Sequence, residues 1–308
     1  MGHSHHHDAP VGNARSEEVY SPELQRLLRW VTIVSVSIAS MLVVSKIFAW
    51  LYTDSLSLLS SLVDSSMDVM VSLVNFVAIR YALKPADDDH RYGHNSIEDI
   101  AGLVQFTFIS ATSAFVIIQS IGRILAPEPL AHTDMGVAVM IFSMVATTVL
   151  LLFQRYVYKR TQSSLVAADA LHYLGDVLSN GAVIAALILT PLLGWLWIDP
   201  ALAIIFSLYI ALHAIEIGKR SFDNLMDKEM PDSDKARIME IIRDCEGVQG
   251  FHDLKTRYSG SKAFIQMHAD MDGSQTLNDA HKVADALEAA LIEAFPGADV
   301  IIHEDPVN

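Results

Sequence analysis

SLVDSSMD, residues 61–68, lies inside an apolar run that extends from 56 to 82, and the coincidence of the two decides the fold. Asp64 and Asp68 stand four residues apart, so on a helix both carboxylates project from one face. A run of this length spans the hydrocarbon core of a bilayer, which needs roughly 20 helical residues. Working outward, further apolar segments run over about 27–52, 98–125, 132–158, 164–190 and 197–219. Six spans follow. The fifth repeats the device of the second, because LHYLGD, residues 171–176, places His172 and Asp176 at i and i+4.

Composition agrees with a membrane class. Of 308 residues 52% are hydrophobic, and the mean hydropathy is +0.34, too apolar for an ordinary soluble domain of this size. A formal net charge of -15 argues against a nucleic-acid partner, which would want a basic face. The single cysteine, Cys245, precludes a thiolate cluster within one chain and leaves His, Asp and Glu as metal ligands.

Each carboxylate at mid-bilayer costs roughly 2.5–3.5 kcal/mol on insertion scales, so Asp64, Asp68 and Asp176 unpaired would cost on the order of 8–10 kcal/mol. Lys46 is the one basic residue deep in a span, with Arg80 and Arg123 near span ends, and one lysine does not neutralise three carboxylates. A dication held by Asp64, Asp68, His172 and Asp176 would, which makes a metal path the better reading and a bare proton path its rival. Asn75, Asp169 and Asn180 read as interhelical hydrogen-bonding residues, Asp169 also as a residue behind the ligands or along the path.

Between the second and third spans, PADDDHRYGH (85–94) sets Asp87, His90 and His94 at metal-ligand spacing, with Asp88 or Asp89 as substitutes for Asp87. From about Asp227 the chain turns polar. A helix over Asp232–Cys245, strands around 250–258 and 263–271, a helix over Leu277–Phe295 and a strand at 299–303 predict a small α+β domain. His252, His268 and His303 with Asp305 fall at strand positions that converge at one sheet end, His281 lies on the last helix, and a carboxylate such as Asp305 can bridge two metals.

Arg15, Arg26, Arg29, Lys84, Arg91, Arg155, Lys159, Arg160, Lys219 and Arg220 all fall on one side, which predicts that both termini are cytoplasmic. The domain limits read as a His-rich tail over 1–24, a transmembrane domain over 25–222 and a metal-binding domain over 223–308. His3, His5, His6 and His7 are either a native metal-gathering tail or a remnant of an expression tag.

SLVDSSMD, DDDHRYGH, LHYLGD and VIIHEDP together resemble the cation diffusion facilitator family, within it the bacterial zinc/proton antiporters of the YiiP type, over about 25–307. The resemblance implies a homodimer in the bacterial cytoplasmic (inner) membrane. It implies a ferredoxin-like, metallochaperone-like C-terminal domain and export of divalent metal in exchange for protons. Carried over by position, the transport site is Asp64, Asp68, His172 and Asp176, with His172 also coupling protons. The loop site is Asp87, His90 and His94, and the cytoplasmic binuclear site is His252, His268, His281, His303 and Asp305.

The sequence departs from the pattern at Asn95 and Ser96, where the family type has Gly and Lys. The lysine expected opposite Asp227 is therefore absent, while Glu98 still matches. One imidazole with three carboxylates suits zinc or cadmium better than magnesium or calcium, with Fe2+, Co2+, Ni2+ and Mn2+ left open. A membrane-bound metal sensor or store without flux is the alternative function. No HExxH motif points to an enzyme.

Overall fold

The structure, a computed structural model, describes residues 20–53, 56–126, 134–193 and 197–307. The N-terminal histidine run falls outside the described residues. The chain divides into two units, one formed by Pro22–Asp227 with Ser259–Ser261 and the other by Lys228–Tyr258 with Lys262–Asn308.

The first unit is helical: α1 (Pro22–Thr53), α2 (Leu56–Ala82), α3 (Ser96–Leu125), α4 (Asp134–Thr161), α5 (Ser164–Leu193) and α6 (Ile198–Leu225). Among the described residues four of these, α1, α3, α4 and α6, contain a stretch long and apolar enough to cross a membrane. In α2 and α5 the apolar run is interrupted by the acidic and histidine residues. Small residues bring the backbones together: Ala39, Ala78, Ala168 and Ala214 are buried, as expected where packing rather than hydrophobicity joins helices in lipid. The α3–α6 contact is the tightest case. A Cβ at Gly218 would run into the Phe106 ring, and one at Gly102 into the Ser221 hydroxyl. Many large apolar side chains point outward, with Phe48, Phe115, Ile118, Leu152 and Leu212 well exposed, as a lipid-facing surface requires.

The second unit is α7 (Asp232–Asp244), β1 (Gly250–Ser259), β2 (Lys262–Asp272), α8 (Leu277–Ala294) and β3 (Asp299–Val307). The sheet order is β1-β2-β3, with β2 and β3 parallel across the α8 crossover and His268 opposite His303. The last strand runs past the expected end at 303 to Val307, through Pro306. An edge strand tolerates a proline because one row of its backbone groups pairs with nothing.

Residue parity on β2 sets the two faces. Ala263, Ile265, Met267, Ala269 and Met271 are buried, and the first three join Ile238, Ile242, Leu287 and Leu291 from α7 and α8 in one core. By the period of two, His268 and Asp270 face the other way. We expect Ile265→Val to destabilise this unit by about 0.5–1.5 kcal/mol, the usual cost of one buried methylene, read as faster amide exchange on β2 in the full chain.

Candidate metal centres

Within the helical unit, α2 and α5 face each other through three paired contacts. His172 Nε2 lies 3.0 Å from Asp68 Oδ1, Tyr173 and Ser72 share a hydroxyl hydrogen bond of 2.8 Å, and Asn75 Nδ2 donates to Asp169 Oδ1 at 2.8 Å. As the number on α2 rises the number on α5 generally falls, so the two helices run antiparallel and their i, i+4 pairs meet. His172 Nε2 is 4.0 Å from Asp176 Oδ2, and ligand atoms of Asp68, His172 and Asp176 all lie within 4.8 Å of one another. Asp64, one turn earlier on α2, is exposed and is not a member of that trio. Lys46 reaches over from α1 to donate to Ser61 O at 3.1 Å and Ser65 Oγ at 2.6 Å. Its ammonium is thereby anchored on the same stretch of α2 as the carboxylates, a placement that a count of charges in the sequence does not reveal.

The loop after α2 closes on itself. The backbone N–H of His90 donates to Asp87 Oδ1 at 2.8 Å, His94 Nε2 lies 3.4 Å from Asp87 Oδ2, and the three residues form a second group of converging ligand atoms. That backbone N–H, with the His90 ring and Lys84, holds the Asp87 carboxyl well below the usual carboxylate range, so it is ionised and ready to bind at neutral pH. His94 Nδ1 sits 3.3 Å from the Lys84 carbonyl, which can only accept. The proton therefore belongs on Nδ1 and the lone pair on Nε2, which is buried without a hydrogen-bond partner. Of the alternative carboxylates, Asp88 turns away to Arg91 at 3.1 Å.

In the second unit the face of the sheet opposite the helices collects the histidines. His268 Nδ1 and Asp305 Oδ2 are 2.8 Å apart, His252 Nε2 is 3.4 Å from the same oxygen, and His303 Nε2 is 3.4 Å from Asp305 Oδ1. Asp305 thus presents one oxygen to each of two imidazole groups, the posture of a bridging carboxylate. Its carboxyl is held below the ordinary range, chiefly by the hydrogen bond from His268. Asp270, two residues along the same strand face, lies 3.3 Å from His252 Nδ1. The sequence held the signal for Asp270 in its i+2 spacing from His268.

His281 is placed elsewhere. It sits on α8 beside Glu304 at 3.6 Å and Asp285 at 3.8 Å. Glu304 alternates with His303 and Asp305 along β3 and so points to the helix-covered face, as does the helix itself. Within one chain, then, His252, His268, His303 and Asp305 come together and His281 does not join them. His268→Ala is expected to lower zinc affinity of this face about tenfold in the full-length protein, measured by isothermal titration, because it removes the imidazole nearest the shared carboxylate.

Converging ligand sets of carboxylate and imidazole, one of them between helices of a membrane domain, define a class: membrane proteins that handle divalent cations. The chain belongs to the cation efflux family, also called cation diffusion facilitators, and is a cation efflux transporter rather than an enzyme. The family's cation efflux transmembrane domain matches residues 32–226, and the cation efflux protein cytoplasmic domain, a dimerisation domain, matches residues 230–307. The chain is 43% identical to the cation-efflux pump FieF of Escherichia coli strain K12 over 283 residues, 92% of this chain and 94% of that one. The same figures hold for FieF of strain O157:H7. Among solved structures, a zinc form of CzrB is 37% identical and covers 26% of this chain and 92% of that chain, with a TM-score of 0.24. A nickel form of the MamM C-terminal domain is 23% identical and covers 25% of this chain and 100% of that chain, with a TM-score of 0.24.

Proposed function

We propose that this chain exports a divalent transition metal, zinc foremost, across the bacterial cytoplasmic membrane in exchange for protons, working as a homodimer with both termini in the cytoplasm. The observation that carries the reading is the 3.0 Å approach of His172 on α5 to Asp68 on α2, with Asp176 completing the trio. Ligands divided between two helices can be assembled and parted by relative motion of those helices, which a carrier needs and a storage site does not. The FieF relatives, named as cation-efflux pumps, support export as the direction.

Asp64, Asp68, His172 and Asp176 load the ion from the side bearing the lysines and arginines, the helices rock, and protons arriving from the other side compete for the ligands and release it. Imidazole is the ligand type whose ordinary titration lies nearest neutrality, so His172 takes the proton. The donor set fits zinc and cadmium, with Fe2+, Co2+, Ni2+ and Mn2+ as further cargo tested by competition.

Asp87, His90 and His94 hold a second ion on the loop. His252, His268, His303 and Asp305 hold regulatory zinc in the tail domain, with His281 contributing through Glu304 or from the second copy. Metal there offsets the acidity of the tail and favours closure of two copies on each other, biasing the transport equilibrium.

The test is zinc flux into proteoliposomes holding the full-length protein under an imposed pH gradient, with internal pH read in parallel. Zinc entry with opposite proton movement is the expected result. Zinc binding without flux would return the protein to a membrane-bound sensor or store.

A further inference from the structure

The helical unit holds buried carboxylates that the metal centres do not use: Glu98 and Asp99 at the start of α3 and Asp169 in the middle of the bundle. Asp169, on α5, is 5% exposed. Its Oδ1 accepts from Asn75 Nδ2 of α2 at 2.8 Å, and its Oδ2 accepts from Gln154 Nε2 of α4 at 2.6 Å and from Ser35 Oγ of α1 at 3.1 Å. Gln154 Nε2 also lies 3.1 Å from Ser35 Oγ, and Gln105 of α3 donates to Asn75 Oδ1. One carboxylate thereby ties together α1, α2 and α4 around α5, with α3 attached through Asn75. Ser35, Asn75, Gln105 and Gln154 are each at most 2% exposed.

The position of this layer along the bundle gives it a meaning. Asn75 is two turns past Asp68 on α2, and Asp169 is about one turn before His172 on α5. Both displacements lead toward the end where α2 carries Arg80, with Lys84 just beyond it, and where α4 ends in Lys159 and Arg160. Side-chain exposure runs the same way. It is 34% at Asp176, 16% at Asp68 and 11% at His172, and the residues of the Asp169 layer beyond them are buried. The metal site is closed on its basic side by this layer and more open on the other.

We propose that Asp169 is a positioning residue, the latch of a gate on the basic side of the transport site: its hydrogen bonds hold α1, α2 and α4 on α5, and their release opens that side to the ion. The proposal rests on the transport reading above. The layer is poised for such a change. Three donors satisfy the buried carboxylate, yet the side-chain oxygens of Gln105 and Gln154 are buried with no hydrogen-bond partner. Opening the layer would expose these oxygens to solvent, which offsets part of the cost of parting its hydrogen bonds.

Cysteine accessibility tests the latch in the intact protein. Cys245 is the one natural cysteine, so Cys245→Ser with Ser72→Cys gives a single reporter beneath the layer. Reconstituted in liposomes, it is labelled with a membrane-impermeant maleimide added from the basic side, and zinc flux is measured on the same preparations. Asp169→Ala is expected to speed labelling at least tenfold and to lower the kcat of flux while the KM for zinc moves less than threefold. Gln154→Ala, which leaves the carboxylate in place, is expected to act in the same direction and serves if Asp169→Ala does not fold. Asp169→Asn is expected to label as slowly as the parent, because the Gln154 amide can turn its unpaired oxygen toward the new donor. Unchanged labelling and kcat in the folded alanine variants, or Asp169→Asn labelling as fast as Asp169→Ala, would overturn the latch. A parent protein that moves no zinc would instead overturn the transport reading, with the labelling result still deciding whether Asp169 holds the layer shut.

Discussion

Zinc flux into proteoliposomes is expected to fall at least about 100-fold in Asp68→Ala, with the fold and zinc binding by the C-terminal unit unchanged. Asp68 is the proposed ligand that meets His172 across the α2–α5 interface at 3.0 Å, so its removal would delete one ligand and also the partner that orients the imidazole of a second. Changing a residue that only supports a metal ligand typically costs about 10–100-fold in metal affinity or activity, so loss of a ligand itself is expected to reach at least the upper end, and a hundredfold effect corresponds to about 2.7 kcal/mol. Asp176→Ala is expected to behave alike. Asp88→Ala, whose carboxylate pairs with Arg91 on the exposed loop, should leave flux within about twofold. Should Asp68→Ala carry zinc at the parental rate, the trio is a structural cluster and the path lies elsewhere.

The second large effect concerns coupling rather than rate. A pH difference of one unit is worth about 1.4 kcal/mol per proton exchanged, or about tenfold in steady-state zinc accumulation. His172→Asn keeps a neutral side chain with an oxygen ligand but no titratable ring. Its accumulation ratio is expected to change less than twofold when the imposed gradient is raised by one unit, where the parent should change at least tenfold. The ratio at steady state is the informative quantity, since a slower carrier still reaches the equilibrium that its stoichiometry sets. A variant that moves zinc with the parental gradient dependence would assign the proton to a carboxylate of the site.

The sequence made the two-part architecture legible because the signals are local. An apolar run long enough to span a bilayer is a property of consecutive residues, and so is the parity of Ala263, Ile265, Met267, Ala269 and Met271 that buries one face of β2. The i, i+4 pairs Asp64–Asp68 and His172–Asp176 were readable for the same reason, since helical geometry fixes which side chains share a face. Asp87, His90 and His94 lie within eight residues of one another, close enough for their convergence to be expected from spacing alone.

What required the tertiary structure was every relation between separate elements. The sequence could name Asp169 as an interhelical hydrogen-bonding residue, but not that its partners would be Ser35, Asn75 and Gln154 from three other helices. It placed five residues in the tail cluster. In this chain, His252, His268, His303 and Asp305 come together, while His281 sits with Glu304 on the face that the helices cover. It marked Lys46 as the one basic residue deep in a span, without its seat on Ser61 and Ser65. Periodicity along one chain segment tells which face of an element is apolar and which is polar. The rotation and register that decide which polar faces meet come from packing among helices and strands distant in sequence, and no single segment encodes them.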